Sequence, residues 1–186
     1  MHISFVLSVL TLSVIGCVNS NPSLYLLEPK PLNELSSFSS DLRIGVQQVR
    51  LPDYARDARF VEQQKDGSLV HVEEHRWAEA PTRALTRALS MNLHELTGRP
   101  VFGEPFPDNF RPTVHVSVDF LEFDSTRSGE VRMRGHFIVR KGIDGEPELE
   151  RFAVRKKVEG ESFGDVKNAV AVAIAELATS IAKRFS

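Results

Sequence analysis

The chain has 186 residues, 41% hydrophobic and 26% charged, with a formal net charge of −2. That is enough apolar material for one domain with a proper core, or one domain plus a tether. The near-neutral balance argues against nucleic acid, which demands a clustered positive field. The short basic run Arg155-Lys156-Lys157 reads instead as solvated strand-end charge that discourages edge pairing.

The N-terminus, "MHISFVLSVLTLSVIGC", holds an apolar run from Ile3 to Ile15 broken only by Ser and Thr. It falls short of the about 20 residues a membrane-spanning helix needs, but it suits the hydrophobic region of a secretory signal. His2 is the only stand-in for the usual cationic start. Val14-Ile15-Gly16-Cys17 resembles the lipobox of bacterial lipoproteins: small Gly16 lets a peptidase reach the bond, and the Cys17 thiol takes up a diacylglycerol. Cys17 is the sole cysteine, so no internal disulfide can form even in an oxidising compartment. Two or three acyl chains, at about 0.8 kcal/mol per buried CH₂, would anchor the protein essentially permanently. Val18, not Asp, follows the cysteine; in Gram-negative lipoprotein sorting that resembles an outer-membrane destination. The expected organisation is a signal peptide over 1–16, lipidated Cys17 with a polar tether over 17–23, and a single periplasmic domain over 24–186.

In the mature chain, "LYLLEP" from Leu24 to Pro29 reads as a short strand stopped by proline, and "KPLNELSSFSSD" as a surface connection. "LRIGVQQVRLP", Leu42 to Pro52, is a strand with Ile44, Val46 and Val49 as apolar positions and a bulge at the Gln-Gln pair. "RFVEQQ" and "SLVHVEE" flank Lys65-Asp66-Gly67, an Asp-Gly hairpin signal. Pro81 opens a helix in which Leu85, Ala88, Leu89, Leu93 and Leu96 form one apolar stripe, with Arg83 and Arg87 on the other side and Gly98 as the stop. "PTVHVSVDFLEF" alternates cleanly, Ser128-Gly129 turns it into "EVRMRGHFIVRK", and Asp144-Gly145-Glu146-Pro147 turns that into "ELERFAVRKKVEG". The last helix carries Val166, Val170, Ile174, Leu177, Ile181 and Phe185 on one face, with Asp165 placed to cap its start. Strands, helix, three-strand meander and helix predict an α+β fold: a two-layer sandwich of a mainly antiparallel sheet and two amphipathic helices.

The segment His71-Val72-Glu73-Glu74-His75 fits H-x-x-E-H, a zinc-peptidase pattern. Zinc ligands must each lie about 2 Å from one ion, which i and i+4 satisfy on a helix. On a strand the same residues stand about 13 Å apart, and the alternation of Leu69 to Val72 argues for strand. No metal site is expected, and no cofactor. There is no G-x-S-x-G and no phosphate-cradling glycine loop. Asp119, Glu122 and Asp124 form an acidic trio with Asp119 expected on the opposite strand face from the other two. His115 and His136 are placed to face each other across a hairpin, with no third ligand.

The lipobox, the early Tyr25-Leu26-Leu27, the strand ending Leu51-Pro52-Asp53-Tyr54, and Arg76-Trp77-Ala78-Glu79 before an amphipathic helix together resemble the PqiC family of ABC-type transport auxiliary lipoproteins, over nearly the whole mature chain. This chain has "ARDARF" where the family tends to a proline-containing run, with Ala58 at the proline position. The resemblance implies a non-enzymatic, outer-membrane-tethered component on the periplasmic face, working with an MCE-domain partner so that lipid moves between membranes and the envelope stays intact. Self-association into a ring is compatible with docking on an oligomeric conduit. The alternative is an envelope scaffold or regulatory lipoprotein uncoupled from lipid transport. Partner contacts are expected at Pro52, Tyr54, Arg76, Trp77 and Glu79. Trp77 reads either as core or as interface, because an indole supplies large contact area; Arg76 and Glu79 read as capping or ion-pairing residues, and Tyr54 as an exposed contact.

Overall fold

The computed structural model describes residues 21–33 and 38–185; the expected signal peptide, Cys17 and most of the expected tether lie outside them. The elements in chain order are strands β1 (Ser23–Tyr25), β2 (Ile44–Val46), β3 (Arg59–Gln63) and β4 (Leu69–Trp77), helix α1 (Pro81–Thr97), strands β5 (Val101–Gly103), β6 (Val114–Thr126), β7 (Glu130–Lys141) and β8 (Pro147–Lys157), and helix α2 (Phe163–Ala182). A single 3-10 turn, Asp53–Ala55, lies between β2 and β3.

The eight strands form one open mixed sheet, and with the two helices they make an α+β fold. β6 is its hub. The meander β6-β7-β8 is antiparallel through registers such as Val116↔Val139 and Met133↔Val154. On its other side β6 pairs in parallel with β2 near its start and with β3 near its end. β1 joins β4, and β5 joins β2, each in parallel. The antiparallel ladders are the long ones; the parallel pairings span three residues or fewer each.

The helix ends are written in the sequence. Pro81 sits at N1 of α1, where its missing N–H costs nothing, and Gly98 ends the helix in the left-handed conformation at φ 60° with its N–H on the His94 carbonyl. α2 differs from expectation in one detail: Ser162 is the N-cap, and Asp165 is the third helical residue of a reciprocal capping box. The expected stripes are buried, including Leu85, Leu89, Leu93 and Leu96 on α1 and Val170, Ile174, Leu177 and Ile181 on α2. Six alanines of α2 are buried as well, letting the helix lie close against its neighbours. Both helices cover one face of the sheet, against Val116, Val118, Phe120, Met133, Phe137, Val139, Phe152 and Val154 in one continuous core. No described helix is long and apolar enough to cross a membrane.

Two irregularities position side chains. β6 bulges at Leu121, between the pairs Phe120↔Gly135 and Glu122↔Arg134. The extra residue shifts the alternation, so Asp119, Glu122 and Asp124 share the outer face, contrary to the expected split. At the bulge the strands approach closely: a Cβ on Gly135 would sit 2.0 Å from the Asp119 carbonyl oxygen, so only glycine fits. The β6–β7 register also separates His115 from His136, pairing them with Arg140 and Asp119 instead.

Candidate functional site

The Arg76-Trp77-Ala78-Glu79 signature ends β4 and leads into α1. Trp77 is 5% exposed. Its ring stacks on Phe60 of β3, which meets Tyr25 of β1 and Phe163 of α2 edge-on. Ala78 donates its N–H to the Tyr25 carbonyl. Glu79 accepts from Arg87, nearly two turns into α1, with Nη2 at 2.5 Å and Nε at 3.0 Å, and the same Nη2 reaches the Leu27 carbonyl at 2.9 Å. The signature thus fastens the segment Tyr25 to Leu27 to the first helix. Arg76 is half-buried, and its Nε finds no hydrogen-bond partner among the described residues.

The Leu51-Pro52-Asp53-Tyr54 segment forms the 3-10 turn. The Pro52 carbonyl accepts the Ala55 N–H. Tyr54 is half-buried rather than fully exposed: its hydroxyl oxygen accepts the Phe123 N–H at 3.1 Å, and its carbonyl lies 2.9 Å from His71 Nε2. Burial pushes the phenol above its usual range, and the nearby Asp124 and Glu122 push the same way. Ala55, just beyond, lines the same small apolar recess as Phe60, Trp77 and Phe123. The two signature stretches therefore converge on one packing centre.

The remaining polar clusters are compensated. His71 and His75 lie on a strand and point to different partners, His75 to the Tyr25 hydroxyl at 3.0 Å and to the Phe163 ring; no three metal-ligating side chains converge among the described residues. Asp119 holds Arg50 at 2.8 Å, Arg132 bridges Asp124 and Glu122 at 2.7 and 3.2 Å, and Arg134 adds to Glu122. Burial pushes the Asp124 carboxyl up, and the Arg132 guanidinium opposes that rise.

One feature escaped sequence reasoning. β5 is only three residues long and is followed closely by Pro105, too short for any periodic signal. It places a cleft of ≈ 950 Å³ beside α1, lined among others by Arg83, Met91, Glu95, Phe102 and Phe106.

Two solved structures share this fold. One, a crystal structure of an uncharacterized protein, aligns with TM-score 0.73 at 22% identity over 89% of this chain and 99% of its own. The other, protein XCC0632 from Xanthomonas campestris, assigned to family DUF330, aligns with TM-score 0.61 at 15% identity over 88% of this chain and 91% of its own. No curated protein matches the chain. The family model for the ABC-type transport auxiliary lipoprotein component matches residues 25–182, which takes in both signature stretches and both helices. The chain belongs to the ABC-type transport auxiliary lipoprotein component family.

Proposed function

We propose that this protein is a non-catalytic docking component of an MCE-type intermembrane lipid transport system, held at the periplasmic face of the outer membrane by lipid on Cys17. The observation that carries this reading is the family match across residues 25–182. The chain geometry fits it. Six residue steps separate Cys17 from the first residue of β1, a span of at most about 20 Å when extended, so an acylated Cys17 keeps the domain close to the bilayer. The acids are in keeping with it: Asp119, Glu122 and Asp124 are each committed to an arginine, which suits a structural role better than proton transfer.

The test is chemical crosslinking in cells that make the acylated protein, followed by isolation under denaturing conditions. An MCE-domain protein in the crosslinked species supports the reading. Acylated, membrane-bound protein that never crosslinks to one would favour an envelope scaffold instead.

A further inference from the structure

The cleft beside β5 combines an open strand edge with a helix wall. One side is the solvent-facing stripe of α1 carrying Arg83, Arg87, Met91 and Glu95; the other is β5 with Pro105 and Phe106. Among the described residues β5 pairs only with β2. That ladder starts with the Ile44 N–H on the Pro100 carbonyl and ends with the Glu104 N–H on the Val46 carbonyl. By the alternation of a parallel ladder, Val101 and Gly103 turn their N–H and C=O groups to the open side. Such a row is a template for strand addition.

Side chains sharpen the fit. Met91 and Phe102 are 43% and 42% exposed, and Phe102 is braced edge-on by Phe110, which in turn meets Phe106. Glu95 and Glu104 are committed to the backbone N–H groups of Leu32 and Gln48, and Arg87 to Glu79. The Arg83 side chain makes neither an ion pair nor a hydrogen bond among the described residues, so it is the charged side chain of the groove left free to pair with an incoming carboxylate. The long edge strand of the sheet is guarded: β8 carries Glu148, Arg151, Arg155 and Lys157 along its exposed positions. An acyl chain or a helix could fill the groove only by leaving the Val101 and Gly103 backbone groups unpaired.

We propose that this groove binds an extended segment of a partner protein, which adds a strand to β5, rests apolar side chains on Met91 and Phe102, and sets an acidic side chain or C-terminal carboxylate at Arg83.

A phage-displayed library of random dodecapeptides, panned on the full chain, tests this without acylation or a transport partner, so failure here leaves the proposed function standing and the converse. Enriched peptides should share apolar residues with an acidic group, and Arg83→Glu should weaken them about ten-fold. Because Arg83 is exposed, that variant should unfold like the parent. Phe102→Asp should weaken the same peptides, whereas Leu149→Asp on β8 should not. N-methylation of the peptide should abolish binding at alternate positions only, the signature of one edge-facing row of N–H groups. The proposal fails if no sequence is enriched, if binding ignores Arg83→Glu and Phe102→Asp, or if N-methylation acts without alternation. It fails equally if a second copy of the chain or a fatty-acyl probe, and no peptide, occupies the groove.

Discussion

The rings of Phe60 and Trp77 stack with centroids 4.3 Å apart and planes 22° from parallel. Through the edge contacts of Phe60 with Tyr25 and Phe163, this pair joins the β3–β4 hairpin to β1 and to the start of α2. The single tryptophan is therefore a packing hub.

Trp77→Ala should destabilise the domain by about 3–5 kcal/mol, the range for large-to-small changes of buried aromatics. Urea unfolding followed by far-UV circular dichroism measures it. A loss below about 1 kcal/mol would mean the indole is not packed as described.

Arg87 couples Glu79 to the Leu27 carbonyl. Both side chains of the ion pair are partly exposed, at 34% and 22%, so the coupling is modest. A double-mutant cycle with Arg87→Ala and Glu79→Ala should give about 1 kcal/mol. Arg87→Ala should also speed proteolysis near Leu27 more than Glu79→Ala does, because only the arginine holds that carbonyl. Equal cleavage rates would contradict the arrangement.

Asn92 is fully buried in α1, and neither end of its amide has a hydrogen-bond partner among the described residues. A buried unpaired polar group costs about 1–3 kcal/mol. Asn92→Leu should therefore raise stability, by about 1 kcal/mol after the added volume is accommodated. Thermal unfolding reads this directly, and a lower midpoint would show that the amide is satisfied.

Asp57 is held at a pKa of about 2, below its ordinary 3.8, by hydrogen bonds from the Arg59 side chain and backbone. A carboxyl with a lowered folded-state pKa adds stability above its ordinary value and loses it as pH falls towards the folded one. That contribution should fade between pH 3.8 and about 2. The site is exposed, so the effect is small. Asp57→Asn should flatten the acid limb of stability against pH in this window; an unchanged limb would rule out the coupling.

The sequence made the periodic elements legible. Pro81 and Gly98 bracket α1 to within a residue of its observed ends, and Asp66-Gly67 and Ser128-Gly129 mark their hairpin turns, with Gly67 and Gly129 at φ 88° and 83°. What it hid depends on tertiary contact. The bulge at Leu121 follows from the close approach of Gly135 to Asp119, which no local pattern announces. The parallel pairings of β1, β2, β3 and β5 join residues far apart in sequence, and three-residue strands carry no periodicity. An indole serves core and interface alike; the Phe60 ring stacked on Trp77, from another strand, makes it core. The groove at β5 stayed hidden with the strand that forms it.

The most direct test of the central claim is the intact mass of the protein extracted from separated inner and outer membranes. A lipoprotein docking component at the outer membrane should appear there, cleaved before Cys17 and carrying acyl chains on that residue. Unmodified protein with residues 1–16 retained, or recovery in the soluble fraction, would contradict the account.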